Sequence, residues 1–139
     1  MSQCIFCDIL AGNLPSSIVY RDERCTAFMD IQPVNPGHIL IVPNQHATYL
    51  ADLDMETGAQ MFRVAQHVAH MLRHSGIRCD GETLFLADGE AAMQEVFHVH
   101  LHVIPRYPGD GFGFKFGPHY GQRPTRAELD RLAQQVKGA

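Results

Sequence analysis

The sequence lacks the features that mark membrane, exported and nucleic-acid-binding proteins. None of its apolar stretches approaches the ~18 residues that a membrane-spanning helix needs, and no charged region followed by a long apolar run stands at the amino terminus. The formal net charge is −4, and Lys and Arg are scattered without a basic stripe. We therefore expect a cytoplasmic protein that engages neither a membrane nor a nucleic acid polymer.

Several common catalytic motifs are also absent. The sequence contains no Gly-x-Ser-x-Gly and no phosphate-binding Gly-Lys-Ser/Thr, and its scattered acidic residues form no paired-carboxylate motif. What is present is enough for a core, because 45% of the 139 residues are hydrophobic. We expect one domain that spans residues 1–139.

The pattern of apolar residues predicts an α+β fold. Alternating or continuous apolar segments predict strands at 18–20, 25–29, 38–42, 83–87 and 97–104. Apolar residues at helical spacing predict one long helix from 55 or 57 to about 74 and a terminal helix over 126–136, and residues 4–10 predict a short helical turn. We expect an antiparallel sheet with the long helix packed across it.

Three histidines occupy alternate positions of one apolar segment, Phe97-His98-Val99-His100-Leu101-His102-Val103-Ile104. Side chains two apart on a strand point to the same face, with Cα atoms roughly 6.6 Å apart, so the imidazoles can surround one phosphate or one metal ion. The opposite face is wholly apolar, which predicts that it covers a core. Solvated histidines on an exposed strand are one alternative, and a metal site built on His-x-His is the stronger rival.

Two cysteines, Cys4 and Cys7, stand at a spacing that suits one shared metal ion or one redox pair. A redox motif is typical of a helix that follows a strand, and no strand precedes this pair, so zinc fits better. A closed site needs two further ligands, for which His46 and His98 are candidates. Buried thiols remain the alternative. His67, His70 and His74, at helical spacing, predict a solvated face more than a metal site.

The histidine segment and a second motif resemble the histidine triad (HIT) family. Gln94 to Arg106 resembles the triad signature, and Pro36-Gly37-His38-Ile39-Leu40-Ile41-Val42-Pro43 resembles its upstream companion. The Cys-x-x-Cys pair, Phe28-Met29-Asp30-Ile31 and the glycine-rich 109–113 resemble zinc-containing bacterial members near the Hint branch. The resemblance implies a HIT-like fold with a five-stranded antiparallel sheet, joined across a homodimer. It also implies a nucleotide hydrolase or transferase that acts at an α-phosphate.

The resemblance further implies roles for individual residues. His100 matches the nucleophile, which attacks the phosphorus of a purine nucleoside phosphoramidate or related nucleotide to give a covalent nucleotidyl-histidine. The carbonyl of His98 would orient it, and His102 and His38 match positions that contact phosphate or position the leaving group. The other implied substrate contacts are Asp30 to the ribose, a base wall of Ile5, Phe6, Ile9, Phe28 and Ile31, and a phosphate loop of Gln94, Glu95 and Val96.

For the metal, the resemblance favours a structural zinc ion held by Cys4, Cys7, His46 and His98. Three positions depart from many relatives: Ala87 stands where they have Asn, Met93 where they have Gly, and Glu95 where they have Ser or Thr. These departures bear on substrate preference more than on the class of reaction. The alternatives are a diadenosine polyphosphate hydrolase, a non-catalytic zinc-stabilised nucleotide-binding protein, and a metal-dependent phosphodiesterase.

Overall fold

The computed structural model describes residues 3–139 as a five-stranded antiparallel sheet with three helices. The strands are β1 (Ile18–Arg21), β2 (Cys25–Met29), β3 (Ile39–Pro43), β4 (Gly81–Phe85) and β5 (Leu101–Arg106), in the spatial order β1-β2-β3-β5-β4. The helices are α1 (Ile5–Leu10), α2 (Met55–Arg73) and α3 (Arg126–Lys137), with short 3-10 turns at 50–52 and 90–92. The predicted α+β class and the five-stranded sheet are confirmed.

The two faces of the sheet are covered by different helices. Helix α2 begins at the N-cap Asp54, whose carboxylate accepts the Thr57 N–H at 3.0 Å. Its buried stripe packs with one face of the sheet in a cluster that includes Val64, Ala65, Val68, Ile39, Ile41, Val99 and Val103. On the opposite face, Phe6 of α1 packs with Phe28, Leu40 and Val42. Along β3, Ile39 and Ile41 therefore face α2, whereas Leu40 and Val42 face α1.

The histidine segment is a regular strand only in its second half. We predicted a strand over 97–104, but β5 begins at Leu101, so His98 and His100 precede it. The ladder with β3 stops because the next partners would reach Pro43, which has no N–H to donate. Instead the Val99 N–H bonds to the carbonyl of Ala47 at 2.8 Å. Val99, Leu101 and Val103 still face α2, as the predicted alternation of side chains requires. Phe97 does not follow the pattern, because its side chain is 42% exposed.

The boundaries of β4 also differ from the prediction. The strand runs over Gly81–Phe85 instead of 83–87, because its partner β5 extends to Arg106 and pairs with Gly81. Pro105 is tolerated inside β5 because it lies beyond the end of β3, where no ladder bond needs its nitrogen. Its carbonyl accepts a hydrogen bond from the Asn35 side-chain amide at 2.9 Å.

Gly37 fixes the loop that leads into β3. Its φ is +97°, and a Cβ there would lie 3.0 Å from the Ile77 side chain and 3.2 Å from Pro105. Only glycine meets both the left-handed backbone and the close approach. The Pro-Gly-His motif of the sequence therefore sets the position from which His38 enters the sheet.

Residues 111–139 contribute no buried side chain to the core, although Phe112 contacts Arg106 of β5. Every residue from 111 to 139 is exposed, including the aromatic side chains of the glycine-rich stretch and the leucines of α3. Helix α3 is nevertheless well capped, because Thr125 and Glu128 form a capping box. Within residues 3–139, no helix has the length and apolar character needed to cross a membrane.

Candidate active site and metal centre

The three triad histidines lie together on the sheet face that carries α1. His98 is fully buried and His100 is 6% exposed, and the ring centroids of His100 and His102 are 4.9 Å apart. The edge of Phe6 packs against His98 and His100, with ring centroids 5.8 and 5.1 Å away. The predicted clustering of imidazoles on one face is thus present in the structure, although only His102 belongs to a regular strand.

Hydrogen bonding fixes the tautomer of His100. Its Nδ1 lies 2.7 Å from the carbonyl oxygen of His98. A carbonyl can only accept, so Nδ1 carries the proton and donates it, and Nε2 of the neutral ring keeps its lone pair. The arrangement leaves a nucleophilic nitrogen on a ring whose orientation is held by the main chain.

A chain of hydrogen bonds assigns the tautomers of His38 and His102 as well. The Val34 N–H donates to His38 Nδ1 at 3.0 Å, so the proton of neutral His38 is on Nε2. That Nε2–H faces His102 Nδ1 at 2.9 Å, which makes Nδ1 the acceptor and leaves the His102 proton on Nε2. His102 therefore has an N–H to offer. A carboxylate oxygen of Asp30 lies 3.5 Å from His38 Nε2, at the same junction.

The same tautomers argue against a metal ion at this junction. Ligand atoms of Asp30, His38 and His102 lie close enough to share one. A metal ion would need the lone pair of His38 Nε2, and the Val34 N–H leaves the proton at that position. The proximity of the three residues reflects hydrogen bonding within the site.

Burial keeps these imidazoles neutral. Loss of solvation is the largest effect on all four rings, and it lowers the pKa of the buried His38, His98 and His100. It lowers the pKa of His102 to about 3, with the nearby His100 and His38 adding to the effect. At neutral pH the rings therefore hold lone pairs and directed N–H donors instead of positive charges.

Cys4, Cys7, His46 and His98 form a second cluster next to the triad. Cys4 Sγ lies 3.3 Å from His98 Nδ1, Cys7 Sγ lies 3.4 Å from His46 Nδ1, and the two imidazole nitrogens are 3.1 Å apart. All four ligand atoms lie within 4.8 Å of one another. Ligand atoms around a tetrahedral zinc ion are about 3.3 to 3.8 Å apart, given its bond lengths to sulfur and nitrogen. The four residues fit such an ion.

The groups around this cluster point the metal-binding atoms inward. His98 Nε2–H donates to the Pro43 carbonyl at 2.9 Å, and His46 Nε2 is 3.2 Å from the Thr48 hydroxyl. The carbonyl can only accept, so His98 Nδ1 keeps its lone pair toward the thiols. The Thr48 hydroxyl can donate or accept, so it holds the His46 ring without fixing which nitrogen carries the proton. The Cys7 N–H donates to Cys4 Sγ at 3.4 Å, a bond that suits a thiolate. The sequence predicted that Cys4, Cys7, His46 and His98 would come together, but it gave no sign that Pro43 and Thr48 contact the two imidazoles.

The expected base wall is divided between buried and exposed residues. Phe6 and Phe28 are buried in the cluster under α1, with Ile9 packed against it. Ile5 is 45% exposed and Ile31 is 92% exposed. A fully exposed isoleucine gains nothing from folding, so Ile31 is the member of this set whose side chain is most available to a ligand.

The three residues of the expected phosphate loop have different surroundings. Gln94 is buried, and its side-chain oxygen accepts the Gly89 N–H at 2.7 Å while its amide donates to the carbonyls of Thr48 and Val96. Val96 packs against the cluster of Phe6, and Glu95 between them is exposed. The hydrogen bonds of the Gln94 side chain are thus directed into the protein.

Two other residues gain partners that the sequence did not reveal. Phe85 is the cross-strand neighbour of His102, and the two rings stack with centroids 4.0 Å apart and planes inclined by 12°. Only the register of β4 against β5 creates this contact. Arg106 forms a two-pronged ion pair with Asp110. That pair holds the start of the carboxy-terminal segment.

An open groove of about 630 Å³ lies beside the metal-binding cluster. Its walls include Ile5, Thr48, Glu95, Val96 and Phe97 as well as ligand residues of that cluster. Glu95 is also one of two carboxylates close enough to raise the pKa of His100 against the effect of burial, the other being Asp30. Among the described residues, those that line the groove do not include His38, His100 or His102.

Comparison with known proteins assigns the family. The model of the HIT domain matches residues 11–109. The chain belongs to the HIT family. A HIT family member from Bacillus subtilis has a solved structure that superposes with a TM-score of 0.89, at 35% identity over 99% of this chain and 96% of that one.

Two further relatives bear on the site. A zinc-bound histidine triad family protein from Mycobacterium smegmatis is 39% identical, with a TM-score of 0.76 over 99% of this chain and 98% of that one. The purine nucleoside phosphoramidase of Escherichia coli is 36% identical over 106 residues, which are 76% of this chain and 89% of that protein. The HIT assignment made from the two motifs is confirmed.

Proposed function

We propose that this HIT protein hydrolyses purine nucleoside phosphoramidates, or related nucleotides, through a covalent nucleotidyl-histidine at His100. The observation that carries the proposal is the bond from His100 Nδ1–H to the His98 carbonyl, on a buried ring whose pKa is lowered. An imidazole in that state is a nucleophile at neutral pH and needs no separate base. The similarity to a purine nucleoside phosphoramidase supports the same reaction.

The reaction takes two displacements. The lone pair of His100 Nε2 attacks the α-phosphorus, the bond from phosphorus to the leaving nitrogen breaks, and that nitrogen takes a proton from solvent and departs as an amine. Water then attacks the same phosphorus, the bond to Nε2 breaks and its electron pair returns to the ring, and the proton of the water passes to solvent. The monophosphate is released and His100 is restored.

The other histidines hold the phosphoryl group. The Nε2–H of His102 is free to donate to a phosphoryl oxygen as negative charge builds there, and the bond from His38 keeps that tautomer in place. The carbonyl of His98 positions the nucleophile. Asp30 beside His38 would accept hydrogen bonds from the ribose hydroxyls, with Ile31, Ile5 and the edge of Phe6 toward the base. The side chains of Ile9 and Phe28 support that wall from the core.

For the second cluster we infer a structural zinc ion. Two thiolates and two imidazoles fill a tetrahedral site, so no position stays open for a water or a substrate. The ion would tie the amino-terminal turn to the residues before β5. A metal-dependent phosphodiesterase would need an open coordination position, which this ligand set does not offer.

We also infer that the chain acts as a single domain in a cytoplasmic homodimer. The metal cluster requires reduced thiols, which the cytosol maintains. A homodimer is supported by the edge strand β4 and by the exposed apolar side chains of α2 and α3.

A mass measurement of the reacting protein tests the covalent step. Wild type and His100→Asn are mixed briefly with an adenosine phosphoramidate, and quenched under conditions that preserve bonds between phosphorus and nitrogen. We expect a nucleotidyl adduct and released monophosphate with wild type alone, while His100→Asn still binds adenosine monophosphate. If neither protein forms adduct or product, and diadenosine polyphosphates also fail, the protein is a non-catalytic nucleotide-binding protein. Turnover of the polyphosphates alone would make it a diadenosine polyphosphate hydrolase.

A further inference from the structure

His102 is the least enclosed of the three triad histidines. His98 is fully buried and His100 is 6% exposed, whereas His102 is partly exposed. Among the residues that the structure describes, the ring of His102 has one hydrogen-bond partner, His38, whose Nε2–H donates to its Nδ1 at 2.9 Å. A bond at one nitrogen leaves the ring free to pivot, and the torsion that sets the plane of an imidazole is intrinsically broad. The direction of the His102 Nε2–H therefore needs a second restraint.

Phe85 supplies that restraint. Its ring lies over the His102 imidazole with centroids 4.0 Å apart and planes inclined by only 12°. The rings of His38 and His100 are also close to His102, but their planes are inclined to it by 49° and 56°. A tilt of the imidazole would drive one of its edges into the parallel phenyl ring. The stack thus fixes the plane of His102, and the bond from His38 fixes which edge carries the acceptor.

The sheet sets the position of the Phe85 ring. Strand β4 pairs with β5 from Gly81 opposite Arg106 to Phe85 opposite His102, so the stacked residues are direct cross-strand neighbours. The next residue, Leu86, packs instead with the apolar cluster under α2. Among the described residues, neither apolar cluster includes Phe85. This large apolar side chain therefore lies over a histidine of the site and not in the core.

We propose that Phe85 is a positioning residue, which holds the His102 imidazole in the plane that directs its Nε2–H at a phosphoryl oxygen of the substrate. The inference rests on the proposed function and adds a residue to it. Phe85 itself offers no hydrogen bond to a substrate. Without the stack, the His102 ring would pivot about its bond to His38 and donate to water for part of the time. Negative charge on the phosphoryl oxygens would then be less well stabilised in the transition state.

The first test compares two substitutions of Phe85 with one of its neighbour. Phe85→Leu keeps an apolar side chain but removes the ring, Phe85→Tyr keeps the ring, and the control Leu86→Ala removes core packing from the adjacent position. We expect Phe85→Leu to lower kcat on an adenosine phosphoramidate by about tenfold with little change in KM, because the lost interaction acts in the transition state.

Phe85→Tyr should restore most of that loss. Leu86→Ala should unfold at a lower temperature but keep the wild-type kcat while it is folded. The proposal is overturned if Phe85→Leu retains its kcat, if Phe85→Tyr is as slow as Phe85→Leu, or if Leu86→Ala loses as much activity as Phe85→Leu does.

A measurement without substrate separates this inference from the proposed function. Long-range correlation of ring protons with ¹⁵N at neutral pH reports which nitrogen of His102 carries the proton, and the ring current of Phe85 shifts the same ring protons upfield. The spectrum of His102→Asn identifies the signals. We expect wild type and Phe85→Tyr to show the Nε2–H form with upfield ring protons. Phe85→Leu should lose the upfield shift and partly average the two nitrogen signals.

The two measurements together assign any failure. If wild type turns over no substrate but its His102 signals depend on Phe85 as described, the proposed reaction is wrong and the positioning of the ring stands. If wild type is active and Phe85→Leu leaves the His102 signals unchanged, the role of Phe85 is wrong and the reaction stands. A change in these signals without a change in kcat also overturns the proposal.

Discussion

At the scale of single residues, burial decides the charge of the site, and this makes stability depend on pH. The pKa of His102 is lowered to about 3 in the folded protein, against its ordinary value of 6.5. Between pH 3 and pH 6.5, His102 is therefore protonated in the unfolded chain and neutral in the folded protein. The contribution of neutral His102 to the free energy of unfolding is therefore fully present above pH 6.5, and it is lost as the pH falls toward 3.

We predict that His102→Asn reduces this loss. Between pH 7 and pH 5, the free energy of unfolding of wild type should fall by about 2 kcal/mol more than that of the variant, because a single proton is worth ~1.4 kcal/mol per pH unit. Urea unfolding at a fixed metal concentration measures it, with His119→Asn at an exposed position as the control. Parallel pH profiles for wild type and His102→Asn would show that the ring does not resist protonation.

Gln94 illustrates how a residue from a functional motif can be needed for the fold. Its side chain satisfies the Gly89 N–H and the carbonyls of Thr48 and Val96. We predict that Gln94→Leu lowers the free energy of unfolding by about 2 to 4 kcal/mol, because buried polar groups lose their partners. Gln122→Leu, at an exposed position, should change it little. A variant of normal stability that binds nucleotide poorly would instead assign Gln94 to the phosphate.

At the scale of elements, the cysteine and histidine cluster connects α1 to the approach of β5. Helix α1 has six residues, too few to be stable alone, so it depends on Phe6 in the core and on the ligands at its start. His98 belongs to this cluster through Nδ1 and to the triad through its carbonyl. The position of the nucleophile is thus tied to the element that would hold the metal.

We predict that Cys7→Ala affects stability before it affects activity. The variant should lose bound zinc and about 3 kcal/mol of stability at a free zinc concentration near 100 times the dissociation constant. Metal analysis and thermal unfolding measure the two effects, and Cys79→Ala, a thiol outside the cluster, is the control. If the zinc-free variant melted like wild type but had no turnover, the metal would be catalytic and our assignment wrong.

The sequence predicted element types better than it predicted their ends. Periodicity found α2, which buries one face along its length. The charged turn between two strand-forming segments indicated the hairpin of β1 and β2, although β2 is buried on both faces. Periodicity failed at 97–100, where a missing donor at Pro43 ends the ladder, and at β4, whose register is set by its partner. Local pattern also predicted that the triad histidines come together and that Cys4, Cys7, His46 and His98 form a cluster. It gave no sign of the Phe85 stack or the Gln94 hydrogen bonds, which depend on contacts between distant segments.

At the scale of the whole molecule, the chain divides into parts of opposite charge. Residues 111–139 contain five Lys or Arg and two Asp or Glu, a net charge of +3, whereas residues 1–110 contain six and thirteen, a net charge of −7. A helix of twelve residues without buried contacts is marginal in water. In the homodimer that we propose, the body of a second copy offers α3 both apolar contacts and the opposite charge.

We predict that the two faces of α3 differ in their effect on that homodimer. Leu132→Glu places a charge among the apolar residues of α3, and Gln134→Glu adds the same charge among its polar ones. Sedimentation of wild type should give the mass of two 15.5 kDa chains. Leu132→Glu should weaken the dimer at least about tenfold more than Gln134→Glu does and should reduce helical content by circular dichroism, because a helix that loses its contacts unfolds. Equal effects of the two substitutions would remove α3 from the interface, and a wild-type monomer at micromolar concentration would contradict the homodimer itself.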